Sequence, residues 1–342
     1  MFIYRSLLFL LLVLLTFIMP CSQSLYGQRE QPLLLSGSSA GAGKLMLGAV
    51  DRLVISANGR WQEIPAPDGV LFSPGAWLFD GDNLFAGTNG FGLYKNSSPV
   101  NGSDSSGNNI KSISYLGQKN GLAGNIVTAL EKVENNLWVG TDGGLSLIEG
   151  GKVISFSQWN SDLPGGSVSH LLSASSGGGV WVVTREGGAL VNKDLSVLPW
   201  SIKGTPPPAG KIMDLALWDD GGLVVAGINS LYSFKEEWSK VDFNFTPVSL
   251  LWIPSKGLLM STVKGLFILE DLRRPPKQVF TTDKITSMAL SGDGLWITTD
   301  KGVRVAGSVN FLPDVPLARD NIPLAGDNVP FAGDNIPLSG GY

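Results

Sequence analysis

Leu137-Trp138-Val139-Gly140-Thr141-Asp142-Gly143-Gly144-Leu145-Ser146-Leu147 is the stretch on which the fold turns. An apolar run, a polar turn bearing Gly and a second apolar run make a β-hairpin, because tight turns need residues that tolerate positive φ. The same shape recurs as LFAGTNGFGLY from Leu84, VWVVTREGGALV from Val180, LVVAGINSLYSF from Leu223, LLMSTVKGLFIL from Leu258 and LWITTDKGVRVA from Leu295. A weaker copy, LMLGAVDRLVIS, starts at Leu45. The seven copies are 39, 53, 43, 43, 35 and 37 residues apart, a period that marks a repeat architecture.

Upstream of each copy lies another strand-like run, such as Ile126–Leu130 or Ile285–Leu290. A fourth follows downstream, such as Lys111–Leu116 or Lys152–Phe156. Four strands per roughly 40 residues, seven times over, predict an all-β chain, a seven-bladed β-propeller of four-stranded blades over residues 31–313. The apolar runs alternate little, as strands buried on both faces do. Gly140 suits a strand that another sheet approaches closely. Gln31–Ser36 supplies the first inner strand and Asn310–Val315 the last outer one, so no strand is exchanged between the terminal blades. The insertion Lys95–Asn109, rich in Ser, Gly and Asn, is expected to be a mobile surface loop.

The motif LWVGTDGGL, preceded by Asn120-Gly121-Leu122 and Asn125-Ile126-Val127, resembles the two-component regulator propeller repeat. The likeness is close over Asn120–Leu190, fair over Leu295–Val303 and degenerate elsewhere. The resemblance implies a seven-bladed propeller module of secreted or periplasmic sensing proteins, where it precedes a membrane span and a histidine kinase. This sequence shows neither, so the stand-alone form is implied and phosphotransfer is not. Such a repeat is specific for fold and weak for function.

Composition narrows the chemistry. The 342 residues carry 25 basic and 29 acidic side chains, a net charge of −4, and phosphate contacts need a basic surface, so a nucleic-acid partner is not expected. Only 16% of residues are charged, while 44 are Gly and 10 are Trp, a profile of many short strands and tight turns. One His and one Cys exclude an intrachain disulfide, a Cys/His zinc cluster and a multi-His site. No metal and no cofactor is therefore expected. P-loop, dinucleotide fingerprint, nucleophile elbow and HExxH are all absent.

The two ends read differently from the middle. Residues 1–24 have the form of a secretory signal, with Arg5, the apolar run Leu7–Pro20 and the small-x-small site Ser22-Gln23-Ser24. Cys21 sits where a bacterial lipoprotein carries its lipidated cysteine, although Pro20 replaces the usual small residue. A secreted or periplasmic protein is expected, with a lipid anchor at Cys21 as the alternative. No later run is long and apolar enough for a membrane span. Residues 315–342 read VPLARDN, IPLAGDN, VPFAGDN and IPLSGGY. A proline in every seven-residue unit rules out a coiled coil. Three readings stay open for it: a low-complexity tail, a multivalent peptide that docks on a partner or on this chain's own surface, and Asp320, Asp327 and Asp334 as calcium ligands. For the last, one carboxylate per unit is few for an ion that takes about six to eight oxygens.

Two candidate sites follow from the propeller reading. The first strand of each blade lines the central channel. Counting back from each hairpin aligns Ser36, Gly75, Thr128, His170, Asp214, Ser249 and Ser287 on that strand, all small or polar between mostly apolar neighbours. His170 and Asp214 fall in adjacent blades, and a carboxylate beside an imidazole raises the His pKa and fixes its tautomer. A Ser-His-Asp arrangement is conceivable, but geometry defines such sites. Hydrogen-bonded channel groups with waters, or a small-ligand site, remain open, and no residue is assigned a catalytic role. The second candidate is the face of the disc that carries the hairpin turns. It offers Asp142, Arg185, Lys264 and Asp300 from the turns, and Trp159 and Asn160 from a connection between blades. An exposed Trp among amides suits sugar or peptide recognition; the alternative is that Trp159 packs under its own loop. The sequence thus supports a non-catalytic binding or scaffold propeller for a protein, peptide or glycan partner in the cell envelope, accessory to a sensor or secretion system. The alternative is a lyase or hydrolase acting on polysaccharide at the channel mouth.

Overall fold

The computed structural model describes residues 34–36, 45–57, 60–81, 83–97, 112–174, 179–200, 208, 210–218, 221–280, 284–291, 294–299 and 302–308. The signal sequence with Cys21, Asp300, the expected strand at 310–315 and the repeats at 315–342 lie outside them. So does 98–111; the start of the expected insertion, up to Ser97, is instead the end of the strand Leu93–Ser97.

Seven antiparallel sheets follow one another along the chain, at 34–65, 72–116, 127–156, 168–199, 214–242, 249–280 and 285–308. Six have four strands, and the seventh has three among the described residues. Every sheet takes its strands in chain order. The repeat copies are the second and third strands, Asn136–Thr141 and Gly144–Glu149 in the third sheet. The first strands of successive sheets lie side by side, and Ile285–Ser291 of the last lies against Leu34–Ser36 of the first. The ring is closed by contact between blades, and the fold is a seven-bladed β-propeller.

The core sits between the blades, and the repeat motif explains it. Successive strand residues point to opposite faces. Leu137 and Val139 pack toward the second blade with Leu78, Leu93 and Val127, while Trp138 packs toward the fourth with Val168, Val180 and Val182. The fourth blade repeats the division: Val180 and Val182 face back to the third blade, Trp181 and Val183 forward to the fifth. A strand buried on both sides needs apolar residues at every position, which is why the motif does not alternate. Gly140 takes a forward position with no room for a side chain. A Cβ there would stand 2.6 Å from Val168 Cγ1, and one on Gly87 would stand 2.8 Å from Val127 Cγ1.

The Thr of the motif locks the hairpin turn. Thr88, Thr141, Thr184 and Thr262 each donate their hydroxyl to a Gly carbonyl across the turn, at 2.7, 2.8, 2.9 and 3.0 Å. In the third blade the same oxygen accepts the Gly143 N–H at 3.2 Å. All four threonines are buried, so their hydroxyls must find partners within the protein, and the turn supplies them. Thr141→Val keeps the shape and removes the hydroxyl. A loss of about 1–3 kcal/mol is expected, measurable by chemical denaturation, with Thr141→Ser losing less. The lead-in to this blade is tied down likewise. Ser155 donates its hydroxyl to the Gly121 carbonyl at 2.6 Å, its oxygen lies 2.8 Å from Ser146 Oγ, and Ser146 accepts the Ala123 N–H at 2.9 Å.

Candidate functional site

The polar column of the inner strands is in one register in four blades. His170 stands opposite Val183, Asp214 opposite Ala226, Ser249 opposite Ser261 and Ser287 opposite Thr298, each the fourth residue of its copy of the motif. In the third blade that place is held by Ala129 opposite Gly140, and Thr128 occupies the bulge between Ala129 and Val127. Gly75 lies in the irregular stretch between Phe72 and Trp77. Ser36 pairs with Met46, two places along from the residue opposite Gly48. An extra residue at a bulge shifts every later position, and counting back from the hairpin does not register it.

Three of these side chains reach the backbone of the next blade. Thr128 donates to the Val168 carbonyl at 2.6 Å. His170 Nε2 lies 3.3 Å from the Met213 carbonyl oxygen. Asp214 Oδ2 accepts the Leu250 N–H at 2.7 Å, and its Oδ1 accepts the Leu215 N–H at 2.8 Å. The column therefore links inner strands around the axis from the third blade to the sixth. Glu131 adds a parallel link, accepting the Ser173 N–H at 2.9 Å, with burial raising its carboxyl above the ordinary value. Ser249 donates its N–H to Ser261 Oγ at 2.9 Å, and Ser287 shares a hydrogen bond with Thr298.

The expected rise of the His170 pKa is reversed. Burial holds the imidazole below its ordinary 6.5, although the Asp214 charge and the Met213 carbonyl act upward. Burial likewise raises Asp214, against the Leu250 N–H and the His170 charge. Taking a charge from water costs more here than its partner returns. His170 Nδ1 lies 3.0 Å from Ser169 Oγ, whose hydroxyl also stands 3.3 Å from the Val183 carbonyl. With Nε2 protonated toward Met213, a neutral ring needs the single Ser169 proton at Nδ1. A native pKa below 6.5 means that folding favours the neutral ring. That contribution is complete above pH 6.5 and is lost as pH falls from there through the native value. The single imidazole is expected to titrate below 6.5 by NMR, and the wild type to lose stability relative to His170→Gln across the same window. A midpoint above 6.5 would mean that the Asp214 charge dominates.

The second candidate surface is built by the hairpin turns and the lead-ins to the inner strands, which the antiparallel order places on one face. In three blades the residue after the motif strand donates its N–H to the carbonyl before the inner strand: Asn89 to Leu71 at 2.9 Å, Asp142 to Ile126 at 3.0 Å and Arg185 to Ser167 at 3.1 Å. Leu71, Phe91, Ile126, Trp159, Ile228 and Val263 are exposed, and all come from these turns and connections. Trp159 is the most open, at 86%. Its loop is held from within: Asn160 Oδ1 accepts the Ser157 N–H at 2.7 Å, Asn160 Nδ2 donates to the Ser155 carbonyl at 3.0 Å, and Ser161 Oγ donates to the Ser157 carbonyl at 2.7 Å. The indole is thus presented on a fixed support.

Asp142, Trp159, Asn160, Arg185 and Lys264 are brought to this face. Asp142 Oδ1 accepts the Ile126 N–H at 3.2 Å, so it and Asn160 are engaged in loop structure. Arg185 borders a cleft of about 320 Å³ that is also lined by Pro164, Glu186, Pro199, Trp200, Pro208 and Ile212. The apolar residues at turn positions, Phe91, Ile228 and Val263, are functional candidates that the sequence reading passed over. Their signal was available, since side chains at hairpin turns are ordinarily polar.

Among the described residues no helix is long and apolar enough to cross a membrane, and no group of three metal-ligating side chains occurs. No family model and no curated protein matches the chain. Solved structures do. The extracellular domain of BT4673 from B. thetaiotaomicron, described as part of a hybrid two-component system, aligns with a TM-score of 0.62 and 14% identity over 82% of this chain and 38% of that one. Virginiamycin B lyase from Staphylococcus aureus aligns at 0.58 and 13% over 80% and 93%. PorZ, a surface component of the type-IX secretion system of Porphyromonas gingivalis, aligns at 0.53 and 16% over 77% and 45%. The chain spans less than half of the BT4673 and PorZ chains. At these identities the likeness is one of fold, and an extracellular domain of a two-component system, a lyase and a secretion-system component share with this chain the β-propeller architecture.

Proposed function

We propose that this chain is a non-catalytic binding module of the cell envelope, exported through residues 1–24 and presenting its hairpin-turn face to a partner. One observation carries the reading: six of the seven exposed large apolar side chains among the described residues lie on that face. Apolar groups gathered on one side of a protein mark an interaction site. Secretion or a periplasmic location, with a Cys21 lipid anchor as the alternative, accords with the extracellular setting named for the BT4673 domain. A role beside an envelope sensor or a secretion system accords with BT4673 and PorZ. The axial cluster of His170 and Asp214 supports a structural role better than a catalytic one, because its bonds run to neighbouring backbone.

A polypeptide partner fits the face better than a glycan. Sugar recognition requires free polar groups, whereas three amides of this face are engaged: Asn125 Oδ1 accepts the Gln118 N–H at 2.8 Å, Asn229 Oδ1 the Thr246 hydroxyl at 2.7 Å, and Asn160 holds its own loop. Immobilised protein is expected to retain from envelope extract a partner that Phe91→Ser/Ile228→Ser does not retain, with glycan arrays blank. Equal recovery on both proteins would remove the face as the site, and a glycan signal lost in the variant would transfer the reading to sugar.

A further inference from the structure

We propose that, until a partner displaces it, the hairpin-turn face is covered by the chain's own residues 315–342, seated through their apolar-Pro-apolar triplets at Trp159 and the adjoining cleft. The inference rests on reading that face as the binding surface. Three observations point to this occupant. The cleft is lined by Pro164, Pro199, Pro208, Trp200 and Ile212, with Arg185 and Glu186 at its border. Grooves walled by aromatic and apolar groups take proline-bearing segments, whose restricted backbone lowers the entropy of docking. Pro164 belongs to the connection that carries Trp159, so one loop supplies both the indole and a wall of the cleft.

The segment matches that chemistry. It offers Val315-Pro316-Leu317, Ile322-Pro323-Leu324, Val329-Pro330-Phe331 and Ile336-Pro337-Leu338. Asp320, Asp327 and Asp334 follow the first three triplets. Length also suffices. The described chain stops at Ser308, the end of a third strand, and roughly 30 residues at about 3.3 Å each can span some 100 Å. Tethering gives such a segment an effective concentration of about millimolar, so weak contacts suffice. Four similar units allow one to replace another. A face studded with Phe91, Trp159, Ile228 and Val263 is also an aggregation hazard when bare, which a tethered cover removes.

The test uses the whole chain with p-benzoylphenylalanine in place of Trp159, irradiated as purified monomer and mapped by mass spectrometry. Cross-links are expected within 315–342. They should fall at least tenfold when the tail is scrambled at constant composition so that no apolar-Pro-apolar triplet remains. Cross-links absent from 315–342, or equal from the scrambled tail, overturn the inference. Irradiation in envelope extract separates this failure from that of the binding reading. A probe that captures an envelope protein but never the tail leaves the face as a binding surface and removes only its internal cover. A probe that captures neither removes both.

Discussion

Trp138→Ala is expected to destabilise the propeller by about 3–5 kcal/mol, lowering its melting temperature by roughly 10 °C. Trp138 is 2% exposed and lies in the interface of the third and fourth blades with Val133, Leu145, Leu147, Val168, Val180 and Val182. Its ring stands 6.1 Å from that of Phe156. Removing the indole opens a void at a place the surroundings cannot fill, because backbone on both sides is fixed by hydrogen-bonded ladders. A polar contribution is not involved, since Trp138 Nε1 has no hydrogen-bond partner. Trp138→Phe should therefore keep much of the stability, losing only about 1–2 kcal/mol for the smaller volume. Differential scanning calorimetry of the three proteins checks both steps. An alanine variant melting within a few degrees of the wild type would show that the interface repacks and that blades are held chiefly by their ladders.

Trp159→Ala is expected to do the reverse, leaving the melting temperature unchanged while weakening partner binding by about 2 kcal/mol or more, some 30-fold. At 86% exposure the indole contributes almost no burial to folding. Its loop keeps its own hydrogen bonds through Ser155, Ser157, Asn160 and Ser161, none of which uses the Trp side chain. A large, rigid, exposed aromatic group on such a support is the kind of residue that anchors interfaces. Quantitative recovery from envelope extract on the wild type and the variant, alongside their melting curves, reads both effects. Undiminished recovery would place the hot spot elsewhere on the face, with Phe91 the next residue to change.

These two tryptophans show how legible the molecule was. Trp138 sits in an apolar run repeated seven times, and repetition alone marked it as core. Trp159 sits in Gln158-Trp159-Asn160-Ser161-Asp162, where the sequence favoured burial under its own loop and the structure exposes the ring. The column shows the same division. Polar residues were found at one place in His170, Asp214, Ser249 and Ser287 from their distance to the hairpin, while Thr128 falls in a bulge that spacing does not encode and Ser36 stands two places along an unbroken ladder. The direction of the His170 shift was missed because Asp214 was counted and burial was not.

By itself the sequence determined the all-β class, the number of blades and the hairpins at their centres, because strand pairing and turn chemistry depend on residues a few places apart and every copy carries them. Only the tertiary structure decided which neighbour each axial side chain bonds, that the imidazole is held neutral, and that the apolar side chains of distant turns share one face. Those properties arise from groups contributed by different blades, and burial is a sum over neighbours that no local stretch contains.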